Sequence, residues 1–521
     1  MNIGYKVFAN MYQDSVSLMQ LSALISGQDE ITEASVVMGT PNNLAQLADA
    51  GLGQPPQAGP NDLIIAVRGT DQAREAAFAL ALEKLTFRPA LAAEGGVKAL
   101  PLASLAMAKE VLPDANLALI SVPGEYAAAE AIKALQLGMN VMLFSDNVSL
   151  AQEKAVKTLA QSKSLLVMGP DCGTAIINGF PLGFANVVRR GSIGVVGASG
   201  TGVQEITSRI DQLGAGISQA LGTGGHDLHH EIGGVSMLYG LRALIDDPAT
   251  AVIVLVSKPP AAEVATRILA LAAQAGKPVV VHFLGADAAE IQHGNIYGAS
   301  SLAGAADCAV ALLGSQASAE DSTQLQAADA AQIAALCVGL AGSRRFIRGI
   351  FAGGTFCFEA QLVCQQHGFA ASSNTPVSGN ALLSDIWHSN GHTLVDLGDD
   401  DFTRGRPHPM IDPTLRNQRI QHELADPDVA VLLFDVVLGY GASLTPAQAL
   451  IEVLEQARDP GVPFGMPLLI AHVCGTEADP QIRSAQIKAL QEAGVLVASC
   501  NAQAARWASL AAHLQANKEA S

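Results

Sequence analysis

Three glycine-rich turns could do chemistry. The stretch 191–205 reads GSIGVVGASGTGVQE: a β-branched apolar run, then Ser199, Gly200, Thr201 and Gly202, then apolar residues at helical spacing. Strand, glycine turn and helix in that order present backbone N–H groups at the positive end of a helix dipole. That arrangement holds phosphate or carboxylate. GTGGHD comes next, with Gly224 and Gly225. Farther on, Gly353, Gly354 and Thr355 repeat the logic of 191–213 and suggest an internal duplication. One such turn is as readily a tight connection, since glycine serves turns generally. Recurrence is what favours an anion site.

Two charged features add to it. Lys258 ends the apolar run AVIVLVSKPP, where a compact cation can neutralise developing charge. The segment LGDDDFTRGRPHPMID sets Asp399, Asp400 and Asp401 beside Arg404, Arg406, His408 and Asp412. Adjacent aspartates repel unless a cation or a substrate amide answers them. Arginine is the better fork for carboxylate or phosphate. Lys258, Arg404, Arg406 and His408 are therefore the expected catalytic residues, with Arg404 and Arg406 holding an anionic substrate and Lys258 facing the transferring group across a domain interface. The structural alternative is that these charges pair among themselves and lock two domains together. Asp146, Asn147, Pro170, Asp171 and Cys172 sit where apolar runs end, the ligand edge of open α/β sheets. No metal site is expected. His226, His229 and His230 cluster, but the glycines around them break helical spacing, and zinc needs three or four fixed ligands.

The elements that must position these residues alternate along the chain. Residues 1–105 read as a small α/β module, in which YKVFAN, EASVVMGT and DLIIAVRG are strands, followed by a linker. Asp14 or Ser15 and Pro41 are the expected helix-opening signals there. Residues 106–188 read as a βαβαβ run, the form of half a doubly wound sheet, though without an early GxGxxG. A second α/β unit is expected over 189–320, a connection over 321–343 and a third α/β unit over 344–521, with boundaries near 105, 188 and 340.

Composition bounds the function. The chain has 521 residues, enough for roughly three or four domains. It is 49% hydrophobic, 15% charged and carries a net charge of −18, a balance that argues against nucleic acid or an anionic membrane as partner. Seven dispersed cysteines without a CxxC pair fit free thiols in a reducing cytoplasm. The opening MNIGYKVFANMYQDS lacks a signal-peptide pattern, and no apolar run reaches membrane-spanning length.

MGPDCGTAIING, GSIGVVGASGTGVQE and GTGGHD, in that order and spacing, resemble the α subunit of succinyl-CoA synthetase. With QDSVSLM, MGTP, LFSDNVSL, SKPP, LGDDDFTRGRPHPMIDPTLRN and LGYG, nearly the whole chain resembles the FdrA family. The resemblance implies a CoA-binding-type Rossmann-like domain followed by two flavodoxin-like CoA-ligase-type domains, the last similar to the carboxy-terminal domain of the synthetase β subunit. It makes Asp146, Asn147, Pro170, Asp171 and Cys172 substrate- or CoA-binding candidates. CoA or a nucleotide becomes the candidate cofactor.

Two departures matter. The synthetase carries its phosphorylated histidine in a GHAG motif, and GADAAEIQHGNIYGASS here has none. Lys258 stands where the synthetase has a glutamate that steadies the phosphohistidine. No ATP-grasp segment is evident either. The glycines that cradle phosphate are retained while the phosphate relay is lost.

Three readings compete. The first is a cytoplasmic enzyme subunit moving a carbamoyl or acyl group to or from phosphate, since the FdrA family is associated with allantoin catabolism and carbamoyl transfer between carbamoyl phosphate and oxamate. The second is an acyl-CoA synthetase whose partner supplies ATP binding. The third is a non-catalytic CoA- or nucleotide-binding scaffold. The expected partners are small anionic substrates, further copies of the chain and partner subunits.

Overall fold

The protein is described by a computed structural model covering residues 2–519, apart from 10, 12, 14, 54, 56–57, 87–101, 103, 315–325, 404–405 and 459–465. It divides into two compact units, Met1–Val167 with Asp400–Asp412, and Met168–Asp399 with Pro413–Ser521.

The smaller unit begins with β1 (Asn2–Phe8), α1 (Ser15–Ser26), β2 (Ile31–Met38), α2 (Pro41–Asp49), β3 (Leu63–Gly69) and α3 (Asp71–Thr86). The strands form an antiparallel sheet in the order β1-β3-β2. Leu18, Leu21 and Ile25, on one face of α1, pack on Val36, Ile65 and Val67. Thr40 caps α2 by accepting from Asn43 N at 3.3 Å, and Pro41 stands at its first position. Asp14 lies outside the described residues.

Next come α4 (Leu105–Val111), β4 (Leu117–Ile120), α5 (Gly124–Gln136), β5 (Asn140–Leu143), α6 (Leu150–Ser162) and β6 (Val167–Met168), with strand order β4-β5-β6. Ala127, Ala128, Ala131 and Ala134 give α5 a flat buried face. A capping box between Ser149 and Gln152 starts α6.

The larger unit holds two seven-stranded sheets. The first contains β7 (Thr174–Ile177), β8 (Phe180–Gly183), β9 (Arg190–Ala198), α7 (Gly200–Gln212), β10 (Ile217–Gly222), α8 (Val235–Asp246), β11 (Val252–Ser257), α9 (Ala262–Ala272), β12 (Val279–Phe283), α10 (Ala288–Ile291), β13 (Ile296–Gly298) and α11 (Leu302–Ala311). Its order is β13-β12-β11-β9-β10-β7-β8. β9 to β13 run parallel, and β7 joins antiparallel to β10. The boundary expected near 188 thus falls within one sheet. Asn178 and Gly179, at φ 52° and 86°, close a two-residue hairpin that returns the chain along β7, so 174–183 belongs to the sheet of β9.

The second sheet comes after α12 (Ala327–Val338). It contains β14 (Phe346–Phe351), α13 (Gly354–Gln366), β15 (Ser372–Ser373), β16 (Ala381–Leu382) and β17 (Thr393–Asp396). After α14 (Asp400–Thr403), which belongs to the smaller unit, come α15 (Thr414–Leu424), β18 (Val429–Val437), α16 (Pro446–Ala457), β19 (Leu468–Cys474), α17 (Arg483–Glu492), β20 (Leu496–Ala498) and α18 (Asn501–Glu519). The sheet order is β16-β15-β17-β14-β18-β19-β20. β18 and β19 are buried on both faces, as their continuous apolar runs require. The expected connection over 321–343 includes a packed helix. Ile333 and Cys337 of α12 are buried, and the Cys337 carbonyl accepts from Gln515 Nε2 of α18 at 2.9 Å. Among the described residues no helix is long and apolar enough to cross a membrane.

Candidate functional site

β9 and β14 are central parallel strands, and each runs through a glycine turn into a helix, α7 or α13. The two turns meet. Ser199 Oγ and Thr355 Oγ1 are 2.5 Å apart, bridging 156 positions of sequence. Ser199 also caps α7 by accepting from Gly202 N at 3.0 Å. The partial positive charges of two helix starts therefore share one place.

The glycines here divide by what surrounds them. A Cβ on Gly353 would lie 3.0 Å from Thr201 Cγ2 and 3.1 Å from Asp435 Oδ2, and one on Gly354 would collide with the Asp396 carboxylate. A Cβ on Gly202 would lie 2.5 Å from Ser199 Oγ. Gly200 differs: its Cβ would meet only Thr174 Oγ1, at 3.8 Å. The approach to the first N–H groups of α7 is open at that point. Replacing Gly200 by valine is expected to leave the fold intact and to block anion binding, because the branched side chain fills the approach. Replacing Gly202 by alanine is expected to disturb the cap and cost about 1 kcal/mol of stability. Chemical denaturation together with phosphate titration distinguishes the two, and undiminished phosphate binding by the Gly200→Val chain would remove α7 from the site.

Two carboxylates at α13 escaped the sequence reading as site residues. Asp435, in the middle of β18, accepts from Ala352 N at 2.8 Å and Gly353 N at 2.7 Å, so it already answers the α13 turn. Burial raises its pKa, and the Ala352 N–H and the Arg416 charge oppose that. Asp396, at the end of β17, is also buried, and burial lifts it to about 7. Lys258 pulls it down, while Asp399 and Asp435 push it up. A lone aspartate inside VAVLLFDVV, and one closing HTLVD, were the available signals, since an acid in an apolar strand must have a reason.

Lys258 lies exposed at the end of β11, its Nζ 5.9 Å from the Phe358 ring of α13. It joins the Ser199–Thr355–Asp396 group by charge. Gly224, at φ 84°, packs against Gly169 and the Pro170 carbonyl, so it serves a close backbone approach. Gly225 is exposed, near Asp171. Cys172 is buried, with its Sγ 3.4 Å from the Gly222 carbonyl, and is packed rather than presented. His230 bonds Glu263, and among the described residues no group of His, Cys, Asp and Glu could hold a metal ion.

In the smaller unit, Asp146 and Asn147 are exposed at the end of β5. A Cβ on Gly124 would strike their carbonyls, and Ser145 Oγ donates to the Val122 carbonyl at 2.5 Å, so the turn beneath them is closed. Arg406 also lies in this unit, where its charge and that of Arg68 lower the pKa of Glu33 against the rise from burial. Burial holds His408 at about 4 and therefore neutral, and its Nδ1 accepts from Met410 N at 3.2 Å. Arg404 lies outside the described residues. Lys258 and Arg406 thus fall in different compact units, and Arg406 acts electrostatically on Glu33 within its own.

The comparisons with known proteins agree with this layout. The CoA-ligase model matches residues 350–511, the CoA binding domain model 188–285, and the AllF heavy metal-associated domain model 1–99. The CoA binding match falls on the sheet built around β9, not on 106–188, where the resemblance put the CoA-binding-type domain. Residues 1–99 contain neither cysteine nor histidine. The uncharacterized protein YahF of Escherichia coli (strain K12) is 43% identical over 96% of this chain and 96% of its own length. The mitochondrial succinate–CoA ligase [ADP-forming] subunit alpha-2 of Trichomonas vaginalis is 32% identical over 29% of this chain and 50% of its own length. The apo form of the dinucleotide-forming acetyl-coenzyme A synthetase 1 of Ca. Korarchaeum cryptofilum aligns over 82% of this chain and 87% of its own, with 15% identity and a TM-score of 0.30, too low to support an argument. On the YahF match and the three domain matches together, the chain belongs to the FdrA-type family of acyl-CoA-synthetase-like proteins.

Proposed function

We propose that this chain is an enzyme subunit that transfers an acyl-type group to or from phosphate, in the finer reading a carbamoyl group between carbamoyl phosphate and oxamate. The observation that carries it is the meeting of two helix starts at Ser199 and Thr355, beside a carboxyl poised near neutral pH at Asp396. The first N–H groups of α7 bind the phosphate through the opening at Gly200. The acceptor nitrogen attacks the carbamoyl carbon, the carbon–oxygen bond to phosphate breaks, and phosphate departs with Lys258 offsetting its charge. The nitrogen's proton passes to Asp396, whose pKa near 7 suits a general base. Arg404, Arg406 and His408 are proposed to hold an anion within the smaller unit.

A second reading is supported by the CoA binding domain match over 188–285. In it the chain works as an acyl-CoA synthetase with a partner that supplies ATP binding. Exposed Asp146 and Asn147 fit hydroxyl or amide groups of a nucleotide-like cofactor, while the closed turn at Gly124 leaves no depth beneath them.

The test is turnover by the full chain, alone and with co-purifying proteins, on carbamoyl phosphate plus oxamate and on ATP plus CoA plus succinate. Turnover of the first pair is expected. Lys258→Met is expected to lose it by about a hundredfold or more while staying folded, the scale for removing one electrostatic stabiliser. In the same assay, Arg406→Met losing turnover while folded supports a substrate contact, and losing only stability makes Arg406 a tie to Glu33. Turnover of the second mixture alone would overturn the transferase reading in favour of the ligase.

A further inference from the structure

Asp396 has a neutral neighbour that the transfer reaction has not yet used. Asn374 follows β15 directly and is 8% exposed. Its Nδ2 donates to the Asp396 carbonyl at 2.9 Å, and its Oδ1 accepts from Asp396 N at 2.9 Å. The Asp396 main chain fixes which way this amide points, because an N–H only donates and a carbonyl only accepts. Ser372 of β15 pairs with Thr393 of β17 in parallel register. The Asn374 side chain continues that pairing to the last residue of β17, its amide standing in for a further length of strand.

Asn374 is itself tied to α13. Thr375 N donates to Ser373 Oγ at 3.1 Å. Gln361, fully buried on α13, donates from Nε2 to the Thr375 carbonyl at 3.1 Å and accepts from Val377 N at 3.2 Å. On the far side of the pair, Asp396 Oδ1 accepts from Gly398 N at 2.9 Å, and Oδ2 takes the space that a Cβ on Gly354 would need. Gly354 is the first residue of α13, so the carboxyl lies at the positive end of that helix. Aspartate has a short side chain, and the carboxyl goes where the main chain puts it. Lys258 at the end of β11, Asp399 in the following loop and Asp435 of β18 face this carboxyl by charge. The Cys357 thiol of α13, which burial keeps protonated, stands near it as well.

We infer that Asn374 is a positioning residue for the transfer reaction: its paired bonds to the Asp396 main chain hold that carboxyl at the start of α13. This rests on the reading of Asp396 as the base. Asn374 touches no reacting atom, so it acts on the rate of the chemical step rather than on substrate binding. Without it the end of β17 turns to water for its hydrogen bonds, and the carboxyl moves toward solvent. Its pKa then falls from about 7 toward the ordinary carboxylate value, since burial is what raised it.

Turnover of the full Asn374→Ala chain across pH tests this, with circular dichroism confirming the fold. kcat is expected to fall by about tenfold or more with KM little changed, the scale of a catalytic group displaced by about 1 Å or less. The limb of the pH–rate profile near 7 is expected to move at least about one unit to lower pH. Asn374→Ser, whose hydroxyl is too short to meet both groups, is expected to change both in the same direction. Gln365→Ala is the control. Gln365 Nε2 donates to the Ser378 carbonyl at 2.8 Å and to Asn380 Oδ1 at 3.1 Å, so its loss loosens the same loop without touching Asn374 or Asp396. It is expected to leave kcat and the limb unchanged. A limb that stays near 7 in both Asn374 variants, or that moves equally in Gln365→Ala, overturns the proposal.

A second measurement does not depend on turnover. Urea midpoints at pH 5 and pH 8 read how much ionisation of Asp396 costs the fold. Asp396→Asn is expected to raise the pH 8 midpoint of the unaltered chain, and to raise that of the Asn374→Ala chain by about half as much or less. Equal shifts in the two backgrounds mean that Asn374 does not hold the carboxyl, and overturn the proposal. Unequal shifts in a chain that does not turn over carbamoyl phosphate and oxamate uphold the positioning and overturn the transfer reading alone.

Discussion

Replacing Asp396 by asparagine is expected to reduce turnover by about a hundredfold or more while making the folded protein more stable above neutral pH. The carboxyl titrates at about 7 when folded and at about 3.9 when unfolded. Between those values the folded state holds a proton that the unfolded chain has lost. Stability from this group is therefore fully present below about pH 4 and lost as pH rises through 7. At about 1.4 kcal/mol per unit, the ionised acid costs on the order of 4 kcal/mol at pH 8. Asparagine has almost the same shape and cannot ionise, so it removes that cost. It also removes the base, so the limb of the pH–rate profile near 7 should vanish. Urea titrations at pH 4 and pH 8, with turnover profiles, read both effects. Equal stability of the two chains at pH 8, or a retained limb near 7, would show that Asp396 is an ordinary ionised acid.

The second large effect is on the support of α7. Glu205, on that helix, and His472, in β19, form a pair with Nε2 and Oε2 2.7 Å apart, both almost fully buried. Burial pushes the Glu205 pKa up, but the charge and hydrogen bond of His472, with further help from Cys474 and Arg483, bring it below its ordinary value. Stability from Glu205 is thus present above its unfolded value of about 4.3 and lost as pH falls through its lower folded value. His472→Leu leaves a buried carboxylate without its main partner, and is expected to cost about 3–5 kcal/mol at pH 7. Adding Glu205→Leu to that variant should recover much of the loss, since two apolar side chains need no partner. Denaturation of the two single variants and the double variant measures the coupling. Single variants that simply add would mean that the two side chains do not support one another.

Particular elements of the fold are written locally in the chain. The apolar run from Ile193 to Ala198 followed by Ser199–Gly202 specifies a strand, a turn and a helix, because period and turn chemistry act between near neighbours. The same holds for Gly353–Thr355 and for Pro41 at the head of α2. The Asn178-Gly179 hairpin was not read from the sequence, which kept 106–188 as one unit; the structure moves 174–183 into the sheet of β9. The alternation of strands and helices, together with the motifs at their ends, was enough for the fold class and the family.

Only the tertiary structure decided that the two glycine turns meet, that Asp435 answers one of them, and that Asp396 sits beside it with its pKa near 7. It also placed 400–412 with the smaller unit, apart from Lys258. The physical reason is sequence distance. Ser199 and Thr355 are 156 positions apart and Glu205 and His472 267 apart, and no local periodicity reports such contacts. A pKa depends on desolvation and on charges brought in by other elements, so the same aspartate reads identically in sequence whether it is a solvated turn or a poised acid.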